Sequence, residues 1–79
     1  MKYTIEFRVK LGRNLKEIRQ KARLSISDLS YFFGIHEETL KEFELGNIEV
    51  PTLILADYLE IKDTNGELVR EYLKQKRRR

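Results

Sequence analysis

Residues 24–46, LSISDLSYFFGIHEETLKEFELG, decide how this chain folds. The spacing is Leu24-Ser25-x-x-x-Leu29-Ser30-x-x-Phe33-Gly34-Ile35-x-x-x-x-Leu40-x-x-Phe43-Glu44-x-Gly46. Ser25 is suited to cap a short helix that runs to Phe33, with Asp28 near its positive dipole end. Gly34 permits the left-handed turn that stops it. A second short helix follows from about Glu37 to Leu45, with Glu37 and Glu38 at its start, and Gly46 ends it. Ser30 is small where the two helices must cross. Ile35, Leu40 and Phe43 pack inward, which leaves Glu37, Glu38, Lys41 and Glu42 on the outer face. Two short helices joined by a tight turn in this way form a helix-turn-helix pattern.

Upstream, Leu11, Leu15, Ile18 and Ala22 recur at three and four, with charges between them. This predicts an amphipathic helix of about twelve residues. Residues 2–10, KYTIEFRVK, alternate instead. Tyr3, Ile5, Phe7 and Val9 fall on one face of a period-two pattern, which predicts a half-buried strand. A lone strand leaves backbone groups unpaired, so it implies pairing with a second copy or another protein. Downstream, Pro51 opens a fourth helix to about Ile61. Residues 62–66 read as a turn. Glu67 begins a fifth helix to about Lys76, with Leu68, Tyr72, Val69 and Leu73 inward. The expected organisation is one domain over 1–79: an arm or strand at 1–10, a core at 11–61, and a C-terminal helix with a basic tail at 62–79.

The chain has 79 residues, no cysteine and one histidine. That length suits one compact core and excludes a disulfide framework and the usual zinc spacings. No apolar run approaches the ~20 residues of a membrane span. A cytoplasmic protein without cofactor or metal is expected. No Ser-His pair, carboxylate dyad or Gly-rich phosphate loop can be assembled, so no catalytic residue is expected and the chain does not read as an enzyme. The net charge is +3, but its distribution says more. Residues 1–23 carry 8 basic and 2 acidic side chains, a net +6. Residues 24–67 carry 2 basic and 10 acidic, a net −8. Residues 68–79 carry 6 basic and 1 acidic, a net +5. Two basic ends suit an anionic partner, and the acidic middle opposes it.

With these motifs the sequence resembles the Cro and phage-repressor-like (XRE-type) helix-turn-helix family over roughly residues 11–61. LGRNLKEIRQKARLS looks like that family's first helix, LSISDLSYFFGI its second and HEETLKEFELG its third. The resemblance implies a mainly α, five-helix lambda-repressor-like helix-turn-helix domain, here preceded by the short N-terminal β-strand. It also implies a structural ion pair between Arg19 and Glu44, and a dimeric DNA-binding regulator, a repressor by type, with its third helix in the major groove. The departures are Ile26, where the family often has Gln, and the acidic Glu37 and Glu38. LGRNLKEIRQKARLSISDLS and ELVREYLKQKRRR are also similar to the cytoplasmic domain of the cell-shape protein RodZ, which implies a protein-interaction role. A cytoskeletal adaptor, an antitoxin or an anti-repressor belongs to that class.

The expected partners are an operator in double-stranded DNA and a second copy, joined through the strand, with a protein partner as the alternative and no membrane. Base-facing candidates are His36, Glu37, Glu38, Lys41 and Glu42. Phosphate-facing candidates are Arg13, Lys16, Ser25, Asn47, Lys74, Lys76, Arg77, Arg78 and Arg79. Tyr3, Ile5, Phe7, Val9, Tyr31 and Phe32 are candidates for a protein interface. For Tyr31 and Phe32 the other reading is that the N-terminal strand covers them or the helix is rotated.

Overall fold

The computed structural model describes residues 4–77. Its helices are α1 (Ile5–Lys21), α2 (Ile26–Phe33), α3 (Glu37–Leu45), α4 (Thr52–Thr64) and α5 (Glu67–Arg77). The chain is mainly α, and no strand occurs among the described residues.

The expected N-terminal strand is a helix. Thr4 caps α1: its Oγ1 accepts from the Phe7 N–H at 3.0 Å, and its carbonyl accepts from the Arg8 N–H at 2.9 Å. The polar residues alternating through this segment are mostly Lys, Arg and Glu, which favour a helix as readily as they punctuate a strand. A helix also satisfies its backbone groups internally, whereas a lone strand cannot. The segment therefore continues α1 upstream. Ile5, Phe7 and Val9 are 68%, 48% and 37% exposed, so they do not form one buried face. Strand pairing as a route to a dimer has no strand to use among the described residues. Tyr3 lies outside them.

The α2 boundaries follow the sequence. Ser25 and Asp28 form a reciprocal capping box: the Asp28 N–H donates to Ser25 Oγ at 2.9 Å, and the Ser25 N–H donates to Asp28 Oδ2 at 3.0 Å. Gly34 closes α2 at φ 71°. Ser30 Oγ donates to the Ile35 carbonyl at 2.6 Å and so clamps the turn into α3. Pro51 is the N-cap of α4. That helix runs beyond the expected end at Ile61, through Lys62, Asp63 and Thr64, because Asn65 supplies the left-handed cap at φ 58°. In α5 the inward stripe is Val69 and Leu73, which are buried. Leu68 and Tyr72 are 53% and 37% exposed, a correction to the expected inward set. Each pair has the same four-residue spacing, and the side that meets α2 and α4 selects Val69 and Leu73.

Packing is pairwise: α1 lies on α3 and α4, α2 on α3 and α5, and α4 on α5. Leu15, Leu24, Leu29, Leu40, Phe43, Val50, Tyr58, Ile61, Val69 and Leu73 form one core. The α1–α3 crossing is close. A Cβ at Gly12 would stand 2.6 Å from the carbonyl oxygens of Phe43 and Glu44. A Cβ at Gly46 would stand 2.6 Å from the Val9 Cα.

Two alanine variants separate this close approach from simple backbone freedom. Gly12→Ala must push α3 away and is expected to lower the unfolding free energy by about 1–3 kcal/mol in a urea titration. Gly34→Ala meets nothing within 4 Å and should cost about 1–2 kcal/mol through its left-handed φ alone. An unchanged urea midpoint for Gly12→Ala would show that the crossing is looser than described.

Candidate functional site

The orientation of α3 is set by a buried polar cluster. Glu44 is 8% exposed. Arg19 meets its carboxylate with two prongs, Nε to Oε2 at 2.9 Å and Nη2 to Oε1 at 3.0 Å. Arg19 Nη1 also donates to the Leu24 carbonyl at 3.0 Å. The Tyr58 hydroxyl, fully buried on α4, donates to Glu44 Oε2 at 2.9 Å. The ion pair expected between Arg19 and Glu44 is present, and Tyr58 is its third member. Burial pushes the Tyr58 phenol well above the ordinary tyrosine range. The charge of Glu44 and the bond it accepts push the same way, and Arg19 pulls back.

With Leu40, Phe43 and Glu44 buried, the opposite side of α3 follows from a turn of about 100° per residue. Glu38 lies farthest from the core, with Glu42 and Leu45 on either side of it. Lys41 and then Glu37 follow beyond Leu45 toward the core. Glu37, Glu38 and Lys41 are exposed, and among the described residues their side chains make no hydrogen bond or ion pair. Glu42 is half-buried, and both its oxygens accept from Asn47 Nδ2 at 3.3 Å.

Beside α3 runs a groove of about 520 Å³. Val9, Arg13, Lys16 and Arg19 line it from α1, Ile26 from the start of α2, and Lys41, Glu44 and Leu45 from α3. Since Glu44 binds Arg19, three cations in the groove have no partner among the described residues: Arg13, Lys16 and Lys41. Three unpaired cations on apolar walls, at the foot of an exposed helix, make a surface fitted to a polyanion.

The other expected site residues are dispersed. His36 is exposed at the N-cap of α3 and makes no capping bond with its side chain. The Ser25 hydroxyl is engaged in the cap of α2. Asn47 is tied to Glu42. Lys74 and Lys76 are exposed on α5, which packs on α2 and α4 and not on α1 or α3. Neither lines the groove beside α3; Lys74 lines a depression with Arg23, Leu24 and Asp28. Arg77 ends α5, and Arg78 and Arg79 lie outside the described residues.

Among the described residues, α5 covers Tyr31 and Phe32. The Phe32 ring meets Tyr72 edge-on at 5.1 Å between centroids, and Tyr31 lies 6.4 Å from Tyr72. Phe32 is half-buried, while Tyr31 stays 51% exposed.

Sequence reasoning missed Gly12, Tyr58 and Leu45, and expected Val9 at a protein interface, not in this groove. Gly12 carries a signal, since it is the only glycine inside a helical pattern and usually marks a close approach. Tyr58 reads as an ordinary core aromatic. Leu45, an apolar wall of the groove with Val9 and Ile26, carries no local signal. Among the described residues no cluster of His, Asp or Glu fits a metal ion, and no helix is long and apolar enough to cross a membrane. Comparisons with protein-family models, with curated proteins and with solved structures find no match.

The buried cluster yields two predictions. Arg19→Met strands the Glu44 carboxylate and should cost about 3–5 kcal/mol in a denaturant titration, and pairing it with Glu44→Leu should recover much of that loss. A single variant as mild as the double would mean that the carboxylate does not need its cation. The second prediction concerns alkali. Tyr58 has a folded-state pKa above its unfolded value, so its protonated form stabilises the fold below pH ~10. That stabilisation is lost as pH rises past ~10, by up to ~1.4 kcal/mol per pH unit. Tyr58→Phe should show a shallower alkaline decline, and a decline identical to the wild type would exclude Tyr58 as its source.

Proposed function

We propose that this chain is a DNA-binding regulator in which α2 and α3 act as a helix-turn-helix and α3 enters the major groove. The observation that carries the reading is the unpaired trio Arg13, Lys16 and Lys41 in one groove along α3. α2 and α3 also meet through a tight Gly34 turn, and on the outer side of α3 Glu37, Glu38 and Lys41 have no hydrogen-bond or ion-pair partner among the described residues. In this arrangement the trio neutralises backbone phosphates while the outer face of α3 meets base edges. Two copies would read half-sites about one helical turn apart. The chain would need no cofactor and perform no chemistry on its ligand.

Phosphate neutralisation has a measurable signature, because each contact releases condensed counterions. Fluorescence anisotropy with a labelled duplex should give an affinity that falls steeply as salt rises. Arg13→Gln, Lys16→Gln and Lys41→Gln should each lower the slope of log K against log salt by about 0.9. These side chains are exposed, so the fold should survive each change. Absence of duplex binding by the wild type at low salt would sink the proposal. The acidic Glu37, Glu38 and Glu42 would then favour the second reading, a protein-interaction module. Capture of a protein partner that survives nuclease treatment would support that reading.

A further inference from the structure

We infer that Glu38 is a specificity-determining residue and that it selects a cytosine in the major groove. The inference rests on the DNA-binding reading and adds the base chemistry of its site. Four observations lead to it. Glu38 projects from α3 directly opposite the buried Leu40, Phe43 and Glu44, so it is the polar side chain that reaches farthest from the core. It is exposed, and among the described residues it makes no hydrogen bond or ion pair. Asn47 holds its neighbour Glu42, Lys41 lines the groove with Arg13 and Lys16, and Glu37, also without a partner among the described residues, lies on the flank of α3 and not at its apex. Finally, the cations that would hold the duplex lie to one side of Glu38 and are not paired with it.

The chemistry follows from what an ionised carboxylate can do. It accepts hydrogen bonds and donates none. The major-groove edges of guanine and thymine offer it only acceptors and a methyl group, so neither suits it. Donors are the N4 amino group of cytosine and the N6 amino group of adenine. Adenine places the acceptor N7 beside N6, which repels the second carboxylate oxygen. Cytosine places only C5–H there. Cytosine is therefore the base that Glu38 accepts from without a penalty. The same charge acts against every other base, because a carboxylate pressed into the groove without a donor loses water and gains nothing. It also stands among phosphate charges. Glu38 thus works largely by rejection: it weakens binding to all duplexes and weakens it least where a cytosine waits.

This predicts an inversion that a structural role for Glu38 would not produce. Duplexes with a randomised central region are selected on the wild type, and the enriched pool is sequenced. One position per half-site should be cytosine, and replacing it in a competition titration should cost on the order of tenfold to a hundredfold in affinity. Glu38→Gln should transfer the preference at that position to adenine, since an amide bonds both N6 and N7. Glu38→Ala should lose the preference and yet bind unselected duplex more tightly than the wild type. Retention of the cytosine preference by both variants would assign the readout to another residue and overturn the inference. Wild-type enrichment of no base would overturn it too, while salt-dependent binding left the DNA-binding reading standing. Absence of any duplex binding would remove both.

Discussion

A carboxylate buried where three helices meet governs the shape of this domain. Glu44 belongs to α3, its cation Arg19 to α1 and its hydroxyl donor Tyr58 to α4. Removing a charge from water costs several kcal/mol unless it is paired and hydrogen-bonded. Here the carboxylate is met by two guanidinium N–H groups and a phenol. A buried pair of this sort adds little net stability over an apolar replacement. Its effect is directional. The planar fork of arginine accepts a carboxylate in one orientation, so the rotation of α3 about its axis is coupled to that of α1. The third guanidinium contact, to the Leu24 carbonyl, carries the constraint into the link before α2.

That rotation would be of little use if the helices stood apart. Gly12 and Gly46 bring their backbones into contact, with no room for a Cβ at either position. Close approach and fixed rotation together place Lys41 in the groove with Arg13 and Lys16. They also leave Glu38 facing outward. The candidate surface is thus a consequence of two interior features, a buried charge cluster and a glycine crossing, neither of which touches a ligand.

The central helices were legible because their signals are local. Ser25 with Asp28, Gly34 and Gly46 each act within one turn of chain, and the structure uses all four as caps. The N-terminal segment misled because a period of two needs a partner to become a strand, and the sequence does not reveal one. Thr4 instead caps a helix, and α1 simply continues. The α5 stripe failed for a related reason. Leu68–Tyr72 and Val69–Leu73 have the same spacing, and only the positions of α2 and α4 choose between them. Arg19 and Glu44 were found through resemblance, whereas Tyr58 and the groove-lining Val9 and Leu45 needed three dimensions. The meeting of Arg13, Lys16 and Lys41 depends on the α1–α3 crossing, and no pattern along the chain encodes it.

The folded positions of the charges also resolve the tension between the basic ends and the acidic middle. Part of the acidic block is consumed internally: Glu44 by Arg19 and Tyr58, Asp28 by the α2 cap, Glu42 by Asn47. Of these, Glu44 is offset by the charge of Arg19, while Asp28 and Glu42 are held in place by neutral donors and keep their charge. The basic ends do meet, where Arg23, Arg70 and Lys74 line one depression, but that depression is distinct from the groove lined by Arg13, Lys16 and Lys41. What remains beside α3 is a small cationic groove next to a short acidic edge. On the DNA-binding reading, such a surface separates two tasks. Cations to one side supply sequence-independent attraction, which reaches about a Debye length. Carboxylates at the apex repel phosphate over the same range, and at contact they also penalise every base edge that lacks a donor. A weak overall grip combined with strong local rejection is a consistent way for a small domain to discriminate among sequences, because discrimination is a difference of affinities and not their magnitude.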